Sequence, residues 1–146
     1  MSKAADLIII RRAGAREHDA LEELQWRASY ELPEYRDQLR ANPDAIHLPP
    51  SQIANGQVLV AELNGKIAGF AAVVGGELDG LFVEPDLWGR GIGRALIDAA
   101  TRRARNKGLS LAVIAAPSTR RFYESCGFSI EGEAQTRFGP ALRMSR

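Results

Sequence analysis

The segment Trp88-Gly89-Arg90-Gly91-Ile92-Gly93-Arg94 sets three glycines at alternate positions between an apolar run and a helix-forming run. That pattern suits the binding of an anion. Glycine lets successive amide N–H groups turn inward with no Cβ in the way. A helix N-terminus adds unpaired N–H groups and positive partial charge, and Arg90 and Arg94 add full charges at the rim. A diphosphate is the natural occupant; the other reading is a tight strand-to-helix turn that holds nothing. Two familiar phosphate sites do not fit. A dinucleotide fingerprint needs Gly or Ala in its sixth place, but Gly91-Ile92-Gly93-Arg94-Ala95-Leu96 ends in Leu and the frame from Gly89 ends in Arg94. The following strand closes at Ala115-Ala116, with no carboxylate for a ribose. No Gly-Lys precedes Ser or Thr, as a nucleoside-triphosphate loop requires. Cys126 suits a small buried filler better than a covalent nucleophile. His18 and His47 have no Cys or His neighbours at ligand spacing, so no metal site is expected.

The elements that must position the loop follow from periodicity and punctuation. Leu7–Ile10 is a short apolar run bounded by charge, which predicts a strand. Ala20, Leu21, Leu24 and Ala28 recur at helical spacing from about Glu17, and Leu32-Pro33 ends that helix. Pro33 then suits the first turn of a second helix through Tyr35 and Leu39. Asn42-Pro43, Pro49-Pro50 and Asn55-Gly56 mark a long irregular connection. Val58–Leu63 and Lys66–Val74 flank Asn64-Gly65, a strong type I′ hairpin signal. A third meander strand runs from Glu77 to Val83. The helix after the loop carries Ile92, Leu96, Ala99, Ala100 and Ala104 on one stripe and closes at Gly108. A buried strand over Leu109–Ala116, a short helix capped by Ser118, and strands near Phe128–Glu133 and Thr136–Arg143 complete the order. The prediction is an α/β fold: one mixed, mainly antiparallel central sheet of about seven strands, with helices on both faces.

Composition bounds the rest. The 146 residues suit a single domain, 1–146, with one core. Nineteen basic against eighteen acidic residues leave a net charge of +1, which argues against a nucleic-acid partner. The longest apolar runs fall far short of the roughly 20 residues of a membrane span. Asp6 precedes the first apolar run and Arg11-Arg12 follow it, the wrong order for a secretory signal. One cysteine forms no internal disulfide. A cytoplasmic location is expected.

Leu81-Phe82-Val83-Glu84-Pro85-Asp86-Leu87-Trp88-Gly89-Arg90-Gly91-Ile92-Gly93 resembles the acetyl-CoA signature of the GCN5-related N-acetyltransferases (GNAT). Arg121-Phe122-Tyr123-Glu124-Ser125-Cys126-Gly127-Phe128 resembles a second segment of the same family, and the element order agrees over nearly the whole chain. The resemblance implies that Gly89–Arg94 cradle the pyrophosphate of CoA. It implies that Leu81, Phe82 and Val83 offer backbone groups to the pantetheine arm and an N–H to the thioester carbonyl, a donor of the oxyanion-stabilising kind. Trp88 stands where Gln or Arg often opens the loop. Ala116 stands where many relatives carry Asn, so that contact to the cofactor arm is either missing or taken over by Ser118. Tyr123 matches a tyrosine that protonates the departing thiolate. An ordinary phenol is a weaker acid than an ordinary thiol, so full transfer runs uphill by about 2 kcal/mol, and a hydrogen bond to the forming thiolate is the sounder role. Glu77 occupies the place of the general base of histone-type relatives, and Asp79 lies two residues on, on the same strand face; a water chain is the other route.

The expected activity is acetyl-CoA-dependent N-acetylation of a primary amine by direct attack in a ternary complex. A small-molecule acceptor is favoured over a protein, with a homodimer as a further expectation. Tyr30, Glu31, Glu34 and Tyr35 have the chemistry to receive a cationic amine, though each also suits an ordinary helix surface. The alternative function is a non-catalytic module that binds CoA or acetyl-CoA. A member acting on aminoacyl-tRNA would want a basic face, which the net charge disfavours.

Overall fold

The structure, a computed structural model, describes residues 6–146; the first five residues of the expected domain lie outside the described residues. Seven strands form one sheet in the order β1-β2-β3-β4-β5-β7-β6. They are β1 (Ile8–Arg12), β2 (Val58–Leu63), β3 (Lys66–Val74), β4 (Glu77–Val83), β5 (Ala112–Ala115), β6 (Ser129–Thr136) and β7 (Gly139–Ser145). Every neighbouring pair is antiparallel except β4 and β5. This is the mixed, mainly antiparallel sheet that the element order predicts. The hairpin turn is as expected: Asn64 and Gly65 take φ of 52° and 86°, the two positive values of a type I′ turn.

Helices cover both faces. On one face lie α4 (Ile92–Asn106) and α5 (Arg120–Ser125), packed over Leu59, Ala71, Val73, Leu78 and Val113. Leu96, Ile97, Ala100 and Ala104 of α4 are wholly buried. Small residues on the helix and at Ala68 and Ala71 of the sheet let the two approach closely. The other face carries α1 (His18–Tyr30) and α3 (Pro50–Ala54), whose Leu21, Leu24 and Ile53 meet Val58, Val60 and Phe70. Burying each large aliphatic side chain contributes about 1.5–3 kcal/mol.

The pairing of β4 and β5 positions the site. It covers only Glu77 with Ala112 and Leu78 with Val113. Beyond that point β4 stays with β3 to Val83, and β5 stays with β7 to Ala115. A bulge marks the parting: Ala72 faces Gly80 and Val73 faces Leu78, so Asp79 is an extra residue in β4. Bulges bend a strand and increase its twist, and here the bend falls where the ladder with β5 stops.

Several boundaries differ from the sequence reading. The second helix, α2 (Arg36–Ala41), starts three residues after Pro33, because Leu32 O accepts the Tyr35 and Arg36 N–H groups in a separate turn. The irregular connection contains a 3-10 turn at Pro43–Ala45 and the short α3, with Pro50 at its first position. Ser118 does not cap α5; it lies inside a 3-10 turn, Pro117–Thr119, and Thr119 occupies the cap. The strand expected over Leu109–Ala116 shortens to Ala112–Ala115, with Leu109 and Ile114 exposed.

Candidate functional site

The open edge of β4 faces the gap left by β5. Glu84 N–H donates to Ala68 O of the β3 side at 2.8 Å. Strand amides alternate in direction, so the N–H groups of Leu81 and Val83 point away from β3, into the opening. The Val83 carbonyl on that edge is already engaged: Trp88 Nε1 donates to it at 2.9 Å. Trp88 is half-exposed and spends its one polar hydrogen on shaping the loop.

A 3-10 turn, Pro85–Leu87, leads from β4 to Trp88 and the glycine loop. Gly89 and Gly91 both have φ of 84°, in the left-handed region, and a Cβ at either would meet nothing within 4 Å. Glycine is needed there for backbone direction, not for space. Gly91 is the N-cap of α4, and the first intrahelical bond runs from Ala95 N–H to Gly91 O at 3.0 Å. The N–H groups of Ile92, Gly93 and Arg94 precede it and have no intrahelical acceptor. Gly93 has a different reason to be glycine: a Cβ would come within 2.8 Å of the Phe122 ring, which packs α5 against this end of α4. Arg94 fixes the same junction, donating to Ser125 O at 2.9 Å. Arg90 reaches toward Asp6 at 4.0 Å and is about half-exposed.

Tyr123 stands beneath, on α5. It is buried, with Phe122 and Phe128 edge-on at 5.2 and 5.3 Å. Burial, with smaller effects from Cys126 and Tyr35, pushes its phenol well above the ordinary tyrosine value. The group therefore keeps its proton, which leaves it able to donate a hydrogen bond. Cys126 is a buried free thiol beside it.

The two carboxylates of β4 lie apart in their partners. Glu77 sits at the paired end of the strand, 3.6 Å from Arg143 Nη1, and is half-exposed. Asp79, at the bulge, accepts from Gln52 Nε2 of α3 at 2.9 Å. It lines a cleft of about 70 Å³ together with Gln25, His47, Gly80 and Phe82. Ser118 N–H donates to Glu34 Oε2 at 2.8 Å, joining the turn after β5 to the loop between α1 and α2. Farther along that wall, Tyr35 packs on Phe138 at 5.8 Å and Gln38 Nε2 donates to Phe138 O at 3.1 Å, so α2 is tied to the β6–β7 turn.

A larger groove of about 390 Å³ runs between α1 and the segment just after β4. Trp26 and Tyr30 form its aromatic wall, with Glu31, Glu84 and Asp86 around them and Arg27 paired to Glu84. Trp26 and Arg27 went unremarked in the sequence; the signal was an aromatic pair at i, i+4. No three His, Cys, Asp or Glu side chains cluster as a metal site among the described residues.

An open strand edge leading into a glycine-built helix N-terminus suits a long ligand with a diphosphate. Residues 54–130 match the family model described as the acetyltransferase (GNAT) domain. The chain belongs to the GNAT acetyltransferase family. Solved structures share the fold of this acetyltransferase. The apo form of YjaB from Escherichia coli is 25% identical, with 95% of this chain and 97% of that chain covered, at a TM-score of 0.72. A GCN5-related N-acetyltransferase from Rhodopseudomonas palustris is 23% identical over 100% and 98%, at 0.80. The PaiA N-acetyltransferase from Thermoplasma acidophilum, solved in complex with coenzyme A, is 19% identical over 96% and 99%, at 0.72. No curated protein sequence matches. As a GNAT enzyme the chain is an acetyl-CoA-dependent N-acetyltransferase, with acetyl-CoA as acetyl donor. None of its described helices is long and apolar enough to cross a membrane.

Proposed function

We propose that residues 1–146 form one acetyltransferase domain, acting on a primary amine by direct attack within a ternary complex at the opening between β4 and β5. The observation that carries this reading is the β4 edge, open beyond its two pairs with β5 and joined to the glycine loop by a 3-10 turn, Pro85–Leu87. Acetyl-CoA supplies an activated acetyl group and a thiolate able to leave. The N–H groups of Ile92, Gly93 and Arg94, with the Arg90 side chain, hold the diphosphate. Leu81 and Val83 hold the arm through backbone groups, and a preorganised N–H there stabilises negative charge developing on oxygen. Phe82 contributes its backbone to the same strand segment, and Gly89 and Trp88 set the path of the loop. Ser118 flanks the opening from the β5 side.

Tyr123 donates a hydrogen bond to the leaving sulfur and retains its proton until the thiol departs. A carboxylate of β4 takes the ammonium proton, through water. Asp79 has the better support, because it lines the same cleft as Phe82, whereas Glu77 faces Arg143. The acceptor is a small molecule rather than a protein. The free thiol of Cys126 agrees with a reducing, cytoplasmic location. The strand β6 is a sheet edge with Ile130 exposed, which suits a homodimer.

Two measurements test the reading. Coenzyme A should raise Tm by mass action, and no shift at millimolar concentration refutes the donor site. Acetyl-CoA should release free thiol with some member of a panel of polyamines, amino acids and aminoalkanes. A Tm shift without turnover on any amine would favour the non-catalytic binding module. Asp79→Asn and Glu77→Gln separate the two carboxylates. Loss of the true base lowers the rate near neutral pH, and the rate recovers as pH approaches the pKa of the amine.

A further inference from the structure

The open edge of β4 is not bare. Val83 turns its N–H and its carbonyl away from β3, and among the described residues no strand pairs with that edge beyond Leu78. Strand edges in native proteins are normally paired or covered. Here the cover is Trp88, whose Nε1–H donates to Val83 O at 2.9 Å from five residues along the chain. The indole lies where the amide of a neighbouring strand would donate.

Little else holds the ring. Trp88 is half-exposed and belongs to neither buried cluster. Its backbone N–H reaches Pro85 O at a long 3.4 Å. Gly89 follows in the left-handed region, with open space where a Cβ would lie. Burial therefore does not account for the position of the indole, whereas the hydrogen bond to Val83 does. A ring so lightly packed leaves without disturbing the core. The carbonyl it covers is one that the cofactor needs. The pantetheine arm carries amide N–H groups, and with acetyl-CoA in the opening that arm runs along Leu81 and Val83. A carbonyl oxygen accepts more than one hydrogen bond, but a strand-like partner comes in along the edge, and the indole fills that approach.

We propose that Trp88 is a gate on the cofactor arm: its indole closes the Val83 carbonyl in the free enzyme and swings out when the arm takes its place. The proposal rests on the opening between β4 and β5 being the acetyl-CoA site. The exchange is one hydrogen bond for another, so the arm gains little affinity at Val83. A neutral hydrogen bond is worth about two- to tenfold in an equilibrium constant. Coenzyme A binds more weakly by that factor than a bare edge would allow, and the product leaves correspondingly faster. A ligand with the diphosphate and no arm meets the glycine loop alone and leaves the gate closed.

The test sets coenzyme A beside 3′-phospho-ADP, which keeps the diphosphate and lacks the arm. In wild type, NMR should show the indole proton of Trp88 in contact with the Val83 backbone. That contact should vanish on saturation with coenzyme A and persist with 3′-phospho-ADP. Trp88→Phe keeps a ring without a donor. It should bind coenzyme A about two- to tenfold more tightly and release it more slowly by the same factor, with 3′-phospho-ADP affinity unchanged. A contact that persists in the coenzyme A complex overturns the proposal, and it is read in wild type whether or not the variant folds. So does a variant with equal or weaker coenzyme A affinity, or one that gains equally for both ligands, because the loop and not the gate would then have changed. A wild type that binds neither ligand refutes the acetyl-CoA site itself, a separate failure.

Discussion

Gly91→Ala isolates backbone direction as the property that binds the diphosphate. Gly91 has φ of 84° and a Cβ there would meet nothing within 4 Å. The cost of alanine is therefore conformational, about 1–2 kcal/mol. Reduced freedom of the unfolded chain returns roughly 0.4–1 kcal/mol. The net loss is about 1 kcal/mol, or roughly 4 °C in Tm for a chain of this size. If the loop instead relaxes to negative φ, the Ile92 and Gly93 N–H groups swing off the ligand. One lost hydrogen bond to a charged group costs about 1.5–3 kcal/mol, roughly 10- to 100-fold in affinity. Gly108 provides the control. It ends the same helix with φ of 73°, again with nothing within 4 Å of a Cβ. Fifteen helical residues put it about 22 Å away. Gly108→Ala should lose a similar Tm and no coenzyme A affinity. Calorimetric titration of both variants decides the matter. Wild-type affinity in Gly91→Ala, or equal loss in both variants, refutes the backbone cradle.

Tyr123→Phe should lower kcat tenfold or more while changing coenzyme A affinity less than twofold, and an unaltered kcat removes the phenol from the chemistry. Leu96→Ala removes a wholly buried side chain from α4; a loss of about 2–5 kcal/mol in urea unfolding is expected, and less than 1 kcal/mol would mean that the helix repacks freely. Glu17 accepts from Arg11 at 2.7 Å, and chiefly that hydrogen bond holds its carboxyl below the ordinary value. Its stabilisation is therefore complete above the unfolded value of about 4.3 and fades as pH falls through the lower folded value. Urea midpoints measured from pH 7 to pH 3 should fall less steeply in Glu17→Gln, and identical slopes would show that the pair contributes nothing.

The strands and α4 were legible because their signals are local. Asn64-Gly65 dictates its turn through two positive φ values, and the stripe from Ile92 to Ala104 dictates the buried face of α4. Alternate glycines likewise declared a backbone built for an anion. The short elements were not legible. α2 starts late because the Pro33 turn closes on the Leu32 carbonyl, and α3 is only five residues long, too short to show a period. The bulge at Asp79 left no mark, since an extra residue in one strand is defined by its partner strand.

Residue order alone determined which chemistry was available: a glycine-built helix N-terminus, a tyrosine after the last crossover, and two carboxylates on the strand before the loop. Those are properties of backbone type and side-chain type, read within a few residues. Where each group would be spent depended on contacts far along the chain. Asp79 closes on Gln52, Glu77 on Arg143, and Glu34 reaches across 84 positions to Ser118. A hydrogen bond is directional and short-ranged. Its partner is chosen only when the sheet, parting between β4 and β5, brings distant segments to the same edge.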